Sequence, residues 1–523
     1  MRPNRLDAAS PRFTHSTSAH AGLSATLLVV LALSASACSQ GAPGSRGDLP
    51  VVVAAPVTAS ASSDAPPRTP PPGVVDPGVR AGPTGAGGPL PGLDENELKL
   101  FNEGLFRATE LEATCDTCSD VTPGTAIPPG SPADTTNSAG LGGRFNADQC
   151  LACHSQPAPG GTSPAVNPSF AIAHHKGATN AVPFFETPDG PTREVRFQYN
   201  DDGTRDGSVH QKFTVAGRSD APNCRLAQPD FAAAAARNGL SFRIPTPLFG
   251  LGLIDAIPDT EIRAHLAEHA ELRARLGIRG VPNMSGNENT ISKFGWKAQN
   301  KSITVFAGEA YNVEMGVTNE LFPTSKTEDA DCNLGAEAND VTRVDGPRFS
   351  DPLDVMADWL MFSLFMRFLD APQPVALSAS AQRGEERFRD VGCAECHVPS
   401  MATRPAPLGP QSPALQGKTV PLFSDLALHH MGASLADNVI QGSAGPDQFR
   451  TAPLWGVGQR IFFLHDGRTR DLQGAIRAHF SPASRPQGRL PAYPPSEANQ
   501  VVRNYFQLEP DGQQDVLDFL RSL

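Results

Sequence analysis

Two cysteine–histidine strings constrain this chain more than any other feature of its sequence. They are Cys150-Leu-Ala-Cys153-His154 and Cys393-Ala-Glu-Cys396-His397. Each matches C-x-x-C-H, the attachment signal of c-type haem, in which both thiols bond to one porphyrin. The histidine that follows then binds the iron as proximal ligand. Because a redox dithiol or a zinc half-site has no need of that histidine, the sequence predicts two covalently bound haem c groups, ligated by His154 and His397.

The first residues predict export. Three arginines precede the apolar run Leu23–Leu33, which is too short to span a membrane, and small residues then precede Cys38. We expect a signal peptide over residues 1–37, cleavage before Cys38 and a lipid on its thiol. An ordinary secretory signal is the alternative, because Ala35 stands where leucine is commoner. Either signal places the mature protein on the periplasmic side of a bacterial membrane, which a lipoprotein would touch only through Cys38.

The nine cysteines leave an even remainder once Cys38 and the four haem cysteines are assigned. The remaining four are Cys115, Cys118, Cys224 and Cys332. In an oxidising compartment an even remainder predicts two disulfides, and three pairings are open. Cys115 and Cys118 lack a following histidine, so a third haem is not expected there. A redox-active dithiol at these two positions is an alternative to a structural bridge.

Composition divides the chain into a linker and two domains. Residues 38–93 are rich in Pro, Ala, Gly and Ser, which predicts a disordered linker behind the lipid anchor. About 430 residues follow, more than one hydrophobic core usually holds. We therefore expect a first haem domain with insertions over 94–372 and a second cytochrome c domain over 373–523. The formal net charge of −12 argues against nucleic acid as a partner and permits a basic redox protein.

Helical periodicity precedes each C-x-x-C-H string, as at the start of a cytochrome c domain. The two segments are Glu95–Glu110 and Ala381–Val391. An apolar helix is predicted over Asp351–Leu369 and a terminal amphipathic helix over Gln513–Leu523, whereas Leu240–Ala256 is predicted as packed loop. These helices predict a mainly α fold with two cytochrome c-like domains. The 50 prolines and 48 glycines require much irregular chain, so long irregular insertions are expected as well.

Several sequence blocks resemble a known family. They are FNEGLFRATE, GLGGRFNADQCLACHSQPAPGG, PTPLFGLGLIDAIPD, FGWKAQ, EMGVTNELFP, LHHMGASLAD, RTAPLWGVG and FLHDGRTRDLQGAI. These blocks resemble the di-haem oxidoreductase family, often labelled thiol oxidoreductases, over most of residues 95–523. The C-terminal half is also similar to bacterial di-haem cytochrome c peroxidases, which share a TPxLRN-like run, a YFHDG-like turn and a leucine-rich helix.

The resemblance implies an enzyme that reduces hydrogen peroxide, or another small oxidant, with electrons from a small redox protein. Electrons would enter at a six-coordinate haem and cross to a haem where the oxidant binds. One alternative is a plain electron-transfer cytochrome with both irons six-coordinate. Another is a di-haem enzyme that oxidises a protein side chain or activates dioxygen. Calcium between the domains, as in similar peroxidases, is a further expectation from the resemblance.

For the second haem the resemblance implies His479 as the distal ligand opposite His397, on the helix that follows the YFHDG-like turn. Met431 is the alternative, since a thioether is also a common haem ligand. The neighbouring His429 and His430 are candidates to reach a haem propionate.

Three further residues are candidates around the second haem. His465, in the sharp turn His465-Asp466-Gly467, is expected either to lie between the haems or to cap the turn. Arg450 and Arg468 are candidates to pair with propionates, because guanidinium binds carboxylates bidentately.

For the first haem the resemblance implies a distal histidine after a glycine-rich segment, which makes His174 and His175 the candidates and His210 a further one. Peroxide cleavage also needs a catalytic acid/base, for which Glu186, His174 and His175 are the candidates. Trp296 and Trp455 are candidate electron relays between the haems, although a buried tryptophan is usually core.

One further pattern points to different chemistry. His265-Leu-Ala-Glu268-His269 matches H-x-x-E-H, the inverted zinc-protease signature. The helix expected over Glu261–Leu276 is dense in Arg and Glu and is predicted as an exposed face, so zinc proteolysis is not expected.

Overall fold

The fold is taken from a computed structural model of the chain. It describes residue 67 and residues 72–113, 137–178, 182–199, 204, 210–211, 221–325, 330–333, 338–342, 352–405, 412–488 and 490–523. The predicted signal peptide, the lipid attachment site Cys38 and the cysteines Cys115 and Cys118 lie outside the described residues. None of the described helices is long and apolar enough to cross a membrane.

Short α-helices dominate the described residues. They are α1 (Glu95–Arg107), α2 (Cys150–Cys153), α3 (Ser169–His175), α4 (Phe231–Ala236), α5 (Leu251–Ala256), α6 (Asp259–Glu268), α7 (Ala270–Leu276), α8 (Ile303–Ala310), α9 (Asp358–Phe368), α10 (Ala379–Asp390), α11 (Leu472–Ala478), α12 (Asn499–Gln507) and α13 (Pro510–Ser522). Single 3₁₀ turns lie at Ala330–Cys332, Pro352–Val355, Cys393–Glu395, Pro413–Leu415 and Val457–Gln459, and a π-helical turn at Tyr311–Met315.

The described strands are short. They are β1 (Leu111–Ala113), β2 (Asn137–Ala139), β3 (Glu194–Phe197), β4 (His210–Gln211), β5 (Leu240–Arg243), β6 (Asn283–Met284), β7 (Ile291–Ser292), β8 (Met401–Ala402), β9 (Thr419–Val420), β10 (Leu428–His430) and β11 (Gln448–Arg450). Strands β4, β3 and β5 form a three-stranded antiparallel sheet, in which Val195 pairs with Phe242 and with Gln211. The other strands form two-stranded pairs, of which only β1–β2 is parallel.

Helix α1 begins where the sequence predicts and packs on α9. Asp94 and Glu97 form a capping box that satisfies the first backbone N–H groups of α1. Gly104 lets the two helices approach, because a Cβ there would lie 2.4 Å from the carbonyl oxygen of Met361. Phe101 then packs against Phe365 of α9 with ring centroids 5.5 Å apart. Truncating either buried ring to alanine would cost about 3–5 kcal/mol of folding free energy.

Helix α10 packs on the C-terminal helix α13 in the same manner. A Cβ on Gly384 would lie 1.9 Å from the carbonyl oxygen of Asp515, so only glycine allows this contact. Phe388 of α10 packs edge-on against Phe519 of α13, with ring centroids 5.4 Å apart. The expected helices before both C-x-x-C-H strings and at the C-terminus are therefore confirmed.

Two hydrophobic clusters make up most of the core. The larger one contains Phe101 and Phe365 but also Leu422 and Leu426, which lie beyond the predicted boundary at 372–373. The smaller cluster lies around α10 and α13. The larger core thus includes residues from both predicted domains, and the boundary itself stays a prediction.

Part of the predicted linker is folded against the core, which corrects that prediction for residues 72–93. Val74 is buried in the cluster around α10 and α13, and Leu90 is buried in the larger core. The backbone N–H of Arg80 donates to the carbonyl of Gly458 at 2.8 Å, and that of Leu90 donates to the carbonyl of Phe368 at 2.7 Å. The proline and glycine content of this segment predicted disorder, but a few buried apolar anchors and backbone hydrogen bonds are enough to hold it.

Two other expectations are refined by the structure. The segment Leu240–Ala256, predicted as packed loop, contains strand β5 and helix α5 instead, because Leu253 and Ile254 turn inwards into the larger core. Cys224 and Cys332 form a disulfide. Of the three possible pairings of the four cysteines, this disulfide selects the one that joins Cys224 to Cys332. These two cysteines therefore have a structural role.

Candidate functional site

Each C-x-x-C-H string lines a deep apolar cavity. Cys150, Cys153 and His154 line the first cavity, which encloses about 1540 Å³ including its opening to solvent. The second cavity, of about 1430 Å³ on the same measure, is lined by the corresponding three residues, Cys393, Cys396 and His397. None of the four thiols forms a disulfide, and all are partly exposed to their cavities. Both strings are therefore placed to hold a flat apolar group.

Local backbone turns bring each cysteine pair and its histidine together. The N–H of His154 donates to the carbonyl of Cys150 at 3.2 Å, and that of His397 donates to the carbonyl of Cys393 at 2.9 Å. The second turn is entered through Gly392 at φ 99°, where a Cβ would also lie 2.9 Å from Leu276. That backbone conformation favours glycine, so the turn depends on this residue.

Both proximal histidines are held as iron ligands usually are. The Nδ1 of His154 lies 3.1 Å from the carbonyl oxygen of Gly161, and the Nδ1 of His397 lies 3.1 Å from that of Phe423. A backbone carbonyl that accepts the Nδ1–H fixes the ring and leaves Nε2 for a metal. Burial lowers the pKa of each imidazole to about 4, which keeps the neutral form that binds metals.

The second cavity contains a second histidine held in the same way. His479 follows the last residue of α11, and its Nδ1 donates to the carbonyl of Ala475 at 2.8 Å. It lines the same cavity as His397, and burial lowers its pKa. The structure therefore brings together the two residues that the sequence paired. Met431 lines this cavity as well, packed near Trp296 and Phe449, so it also stays a candidate ligand.

Two buried arginines of the second cavity fit the propionates of a haem. Arg450 and Arg460 both line it, and burial lowers the pKa of each to about 10. Within the described residues, neither arginine has a carboxylate partner, and Nε and Nη2 of Arg460 have no hydrogen-bond partner. A buried cation without a counter-charge is costly, so a ligand carboxylate would satisfy it. Arg460 has no recognisable motif, which is why the sequence missed it.

Arg468 is placed differently from its prediction. Its guanidinium pairs with Asp466 at 2.7 Å and donates to the carbonyl of Ser434 at 2.6 Å. It lies outside the lining of the second cavity, in a shallow surface pocket. The prediction that Arg468 pairs with a propionate is therefore not supported by its position.

The histidines near Met431 already have protein partners. The two ring nitrogens of His429 lie 3.0 Å from Asp425 and 2.7 Å from Glu497. The Nδ1 of His430 lies 3.0 Å from both oxygens of Asp447. Protein carboxylates therefore occupy both ring nitrogens of His429 and the Nδ1 of His430, and contact of either ring with a propionate stays a prediction.

The first cavity contains a buried carboxyl group suited to proton transfer. Glu186 is 7% exposed and lines this cavity. Its carboxylate accepts the backbone N–H of Arg193 at 2.8 Å and a short hydrogen bond from the amide of Asn167. Burial outweighs these contacts and raises the pKa of Glu186 to about 7. A general acid/base works best with a pKa near the working pH, so the structure supports this candidate.

A second, partly buried carboxyl group in this cavity has no counterpart in the predictions. Glu314 also lines the first cavity and accepts a hydrogen bond from Asn146 at 2.5 Å. Burial, reinforced by the neighbouring Glu194, raises the pKa of Glu314 to about 8. The residue lies in the block EMGVTNELFP, but only its three-dimensional surroundings reveal its burial.

The predicted distal histidines of the first haem are not brought to His154. His174 and His175 end α3, where Ile172 and Ala173 form the buried face and His174 is exposed. Neither histidine is among the described residues that line the first cavity. The backbone of His210 pairs with Arg196 in the sheet, and its side chain lies outside the described residues. The structure therefore does not bring His174 or His175 into the first cavity, and their role as distal ligand or acid/base is not supported by their position.

The π-helical turn after α8 forms another wall of the first cavity. Gly142 and Gly316 pack backbone on backbone, and the N–H of Gly142 donates to the carbonyl of Met315 at 2.9 Å. The Sδ of Met315 lies 3.9 Å from the Sγ of Cys150. The hydroxyl of Tyr311 donates to Glu112 at 2.6 Å. Such π-turns are frequent at functional sites.

One tryptophan lines both cavities. Trp296 is a lining residue of each, and its Nε1–H donates to the carbonyl of Ile244 at 3.0 Å. Trp455 lines neither cavity and packs against Gly250 in the larger core. Of the two candidate relays, only Trp296 is therefore placed where a relay would be.

The turn at His465 lies against the second cavity. His465 lines it and stacks on Phe449 with ring centroids 4.4 Å apart, and burial lowers its pKa to about 4. The carbonyl of Asp466 accepts Nε–H of Arg193, which lines the first cavity, at 3.0 Å. The turn therefore lies between residues of the two cavities. A role for His465 between the haems stays a prediction, as does the calcium site.

The zinc-protease pattern does not form a metal site in this structure. Helix α6 ends at Glu268, so His265 and His269 do not share one helical face. His265 lies 3.5 Å from Glu261 and 3.4 Å from Glu268, whereas His269 reaches Glu395 at 3.2 Å. The two histidines therefore serve separate ion pairs.

Comparisons with known proteins agree with two haem sites. A family model described as "Di-haem oxidoreductase, putative peroxidase" matches residues 201–506. No curated protein sequence matches this chain.

Three solved structures are similar to the chain at low identity. Hydrazine synthase from Kuenenia stuttgartiensis is 13% identical, covering 91% of this chain and 100% of its own, with a TM-score of 0.30. A MauG-like protein associated with microbial copper homeostasis is 16% identical, covering 53% and 90%, with a TM-score of 0.25. The diheme peroxidase BthA from Burkholderia thailandensis is 13% identical, covering 60% and 90%, also with 0.25. Likeness at these scores carries no argument about mechanism.

Proposed function

Because the chain belongs to the di-haem oxidoreductase family, we propose that it reduces hydrogen peroxide with electrons relayed from one haem to the other. The haems would be bound covalently through Cys150 and Cys153 in the first cavity and through the two cysteines of the second. A small redox protein would be the electron donor.

One observation carries this proposal: the two cavities differ in the side chains that line them besides the C-x-x-C-H string. The second cavity offers His479, so an iron there would have two imidazole ligands and would serve electron transfer. In the first cavity, His154 is the only histidine among the described lining residues, and Glu186 lies in the same space. An iron there would keep a position for peroxide, next to a group that can carry a proton.

When bound, the haems supply one-electron transfer and a site at which peroxide can be cleaved. The protein's own residues would handle the protons. Glu186 in its carboxylate form would take a proton from hydrogen peroxide and return it to the departing oxygen, which leaves as water. Arg193 and Asn167 hold the carboxyl group in place through the hydrogen bonds described above.

Reduction of hydrogen peroxide to two waters also requires two electrons and two protons that do not come from the peroxide. Trp296 is suited to assist electron passage because it lines both cavities. Glu314, whose pKa is raised to about 8, is suited to hold one of these protons near neutral pH.

The proposal includes export to the periplasmic side of a bacterial membrane, with the lipid at Cys38 as the only membrane contact. It is supported by the signal-like pattern of residues 1–37 and by two C-x-x-C-H strings, since c-type haem is attached outside the cytoplasm. Membrane fractionation of the Cys38→Ala variant tests it: release into the soluble periplasmic fraction supports lipidation.

The enzymatic proposal is tested by stopped-flow absorbance of the half-reduced protein mixed with hydrogen peroxide. The protein is produced in a host that matures c-type cytochromes, and its mass is first measured by mass spectrometry. We expect two added haems and rapid oxidation by peroxide, slowed in Glu186→Gln. If both haems stay low-spin and inert toward peroxide in every redox state, the protein is an electron carrier instead.

A further inference from the structure

Residue Asp76 lies in the 72–93 segment, which the sequence predicts as linker, yet its carboxylate contacts the first residue of α11. Its Oδ2 accepts the backbone N–H of Leu472 at 2.7 Å. The two residues are far apart in sequence, so the contact is a feature of the fold. It places a charged group from the 72–93 segment at the start of the helix that leads to His479.

A buried arginine holds this carboxylate in position. The Nε of Arg521, in α13, donates to Oδ1 of Asp76 at 2.7 Å, and its Nη2 donates to Oδ2 at 2.8 Å. Arg521 is 5% exposed, so the pair is a bidentate contact largely removed from water. Burial alone would raise the pKa of Asp76, but the hydrogen bonds from Arg521, Leu472 and Gly78 lower it. The carboxylate is therefore ionised at neutral pH.

The start of α11 needs such a partner. The first backbone N–H groups of a helix have no acceptor within it. In α11 the side chain of Asp471 accepts the N–H of Gly474 at 2.6 Å, and Asp76 accepts that of Leu472. Two carboxylates at a helix N-terminus also interact favourably with the helix dipole. Because α11 has only seven residues, losing one of these two carboxylate contacts affects a large part of the helix.

The position of α11 decides the position of His479. Leu472, Ala475 and Ile476 line the second cavity from this helix. His479 follows the other end of this helix, and its ring is held by the carbonyl of Ala475. A shift of α11 would therefore move the imidazole relative to His397.

We propose that Asp76 is a positioning residue that fixes α11 and, through it, the distal imidazole of His479 in the second cavity. This inference rests on the proposed His397/His479 coordination. It gives the 72–93 segment a role in setting the ligand field and the redox potential of the second haem. Asp76 itself touches neither the haem cavity nor a substrate.

The test compares the holoprotein variants Asp76→Ala, Asp76→Asn and Leu90→Ala. Leu90 is buried in the same segment but packs in the larger core, whose described members include no residue of α11, so it is the matched control for a loosened segment. Asn at position 76 keeps an oxygen for the N–H of Leu472 but loses the charge that pairs with Arg521. The readouts are low-temperature EPR and the midpoint potential of each haem, with thermal unfolding measured in parallel.

We expect Asp76→Ala to split or broaden the low-spin signal of the second haem and to shift its potential, with the first haem unchanged. Asp76→Asn should restore the signal in part, and Leu90→Ala should lower only the unfolding temperature. Unchanged spectra and potentials in both Asp76 variants would overturn the positioning role.

A fourth variant, His479→Ala, separates this inference from the proposed function. If it leaves the second haem low-spin, the proposed coordination is wrong and the inference falls with it. If it changes the second haem while the Asp76 variants do not, only the positioning role is lost.

Discussion

The two cavities share one half of their design and differ in the other. In both, a single turn of chain presents two thiols and a histidine, and a backbone carbonyl 3.1 Å away holds the imidazole Nδ1. Besides its C-x-x-C-H string, the second cavity is lined by His479, and the first is lined by Glu186 and Glu314. Under the proposed function, the shared half would hold the haem, whereas the residues that differ would set the task of each cavity.

The different tasks proposed for the two cavities follow from the burial of their side chains and not from the C-x-x-C-H motif. Both strings have this motif, so it does not indicate which iron would react. The pKa of Glu186, raised to about 7 by burial, and the carbonyl-held ring of His479 make that distinction. The following predictions test it, beginning with the largest effect.

Removing the cysteines of one cavity at a time should separate the two tasks completely. Each double variant, Cys150→Ser with Cys153→Ser or Cys393→Ser with Cys396→Ser, should lose one covalent haem by mass spectrometry. The first pair should abolish the reaction with peroxide while the low-spin spectrum remains. If the first-cavity variant still reacts rapidly with peroxide, the assignment of the two cavities is reversed.

Glu186→Gln should slow the reaction with peroxide about 10²–10⁴-fold, the usual contribution of a general acid/base. The spectrum and potential of the second haem should not change, because Glu186 lines only the first cavity. Glu309→Gln is the matched control, since Glu309 also lines that cavity but contacts Asn300. Equal loss in both variants, measured as kcat/KM for peroxide, would point to cavity damage instead of proton transfer.

The pH dependence should follow the ionisation of Glu186. Because the carboxylate is the active form and its pKa is raised to about 7, kcat/KM for peroxide should fall as the pH drops through about 7. Well below that value the ionised fraction, and with it the rate, changes about tenfold per pH unit. The Glu186→Gln variant should lose this inflection. A wild-type inflection near the ordinary glutamate pKa would contradict the burial effect.

Trp296→Phe should have the smallest effect of the four. Phenylalanine keeps the aromatic wall of both cavities but loses the hydrogen bond from Nε1 to Ile244. We expect slower electron passage between the haems in stopped-flow traces of the half-reduced protein, with both haem spectra preserved. Trp455→Phe is the control, as it lines neither cavity, and it should leave the traces unchanged.

The sequence predicted those parts of the molecule that depend on local pattern. Glu95–Glu110 and Ala381–Val391 carry helical periodicity, and the structure has helices at Glu95–Arg107 and Ala379–Asp390. In each C-x-x-C-H string, the spacing of the pattern alone predicts three functional residues, the two cysteines and the histidine. His479 was reached through the resemblance, and the structure places it in the same cavity as His397.

What the sequence could not give depends on long-range packing. His174 and His175 follow a glycine-rich segment, but α3 buries Ile172 and turns His174 to solvent. Arg460 and Glu314 belong to no recognisable sequence motif. They matter because folding removes their charged groups from water, which only the three-dimensional structure shows. The 72–93 segment has the composition of a linker, and only its long-range contacts, such as those of Leu90 in the larger core and of Asp76 with Arg521, show that it is folded.

Low-temperature EPR of the oxidised protein, before and after one equivalent of cyanide, tests the difference between the cavities most directly. The account predicts one high-spin and one low-spin ferric signal, with cyanide converting only the high-spin signal. In His479→Ala, a second cyanide-sensitive haem should appear. Two low-spin signals that cyanide leaves unchanged in the wild-type protein would contradict the account.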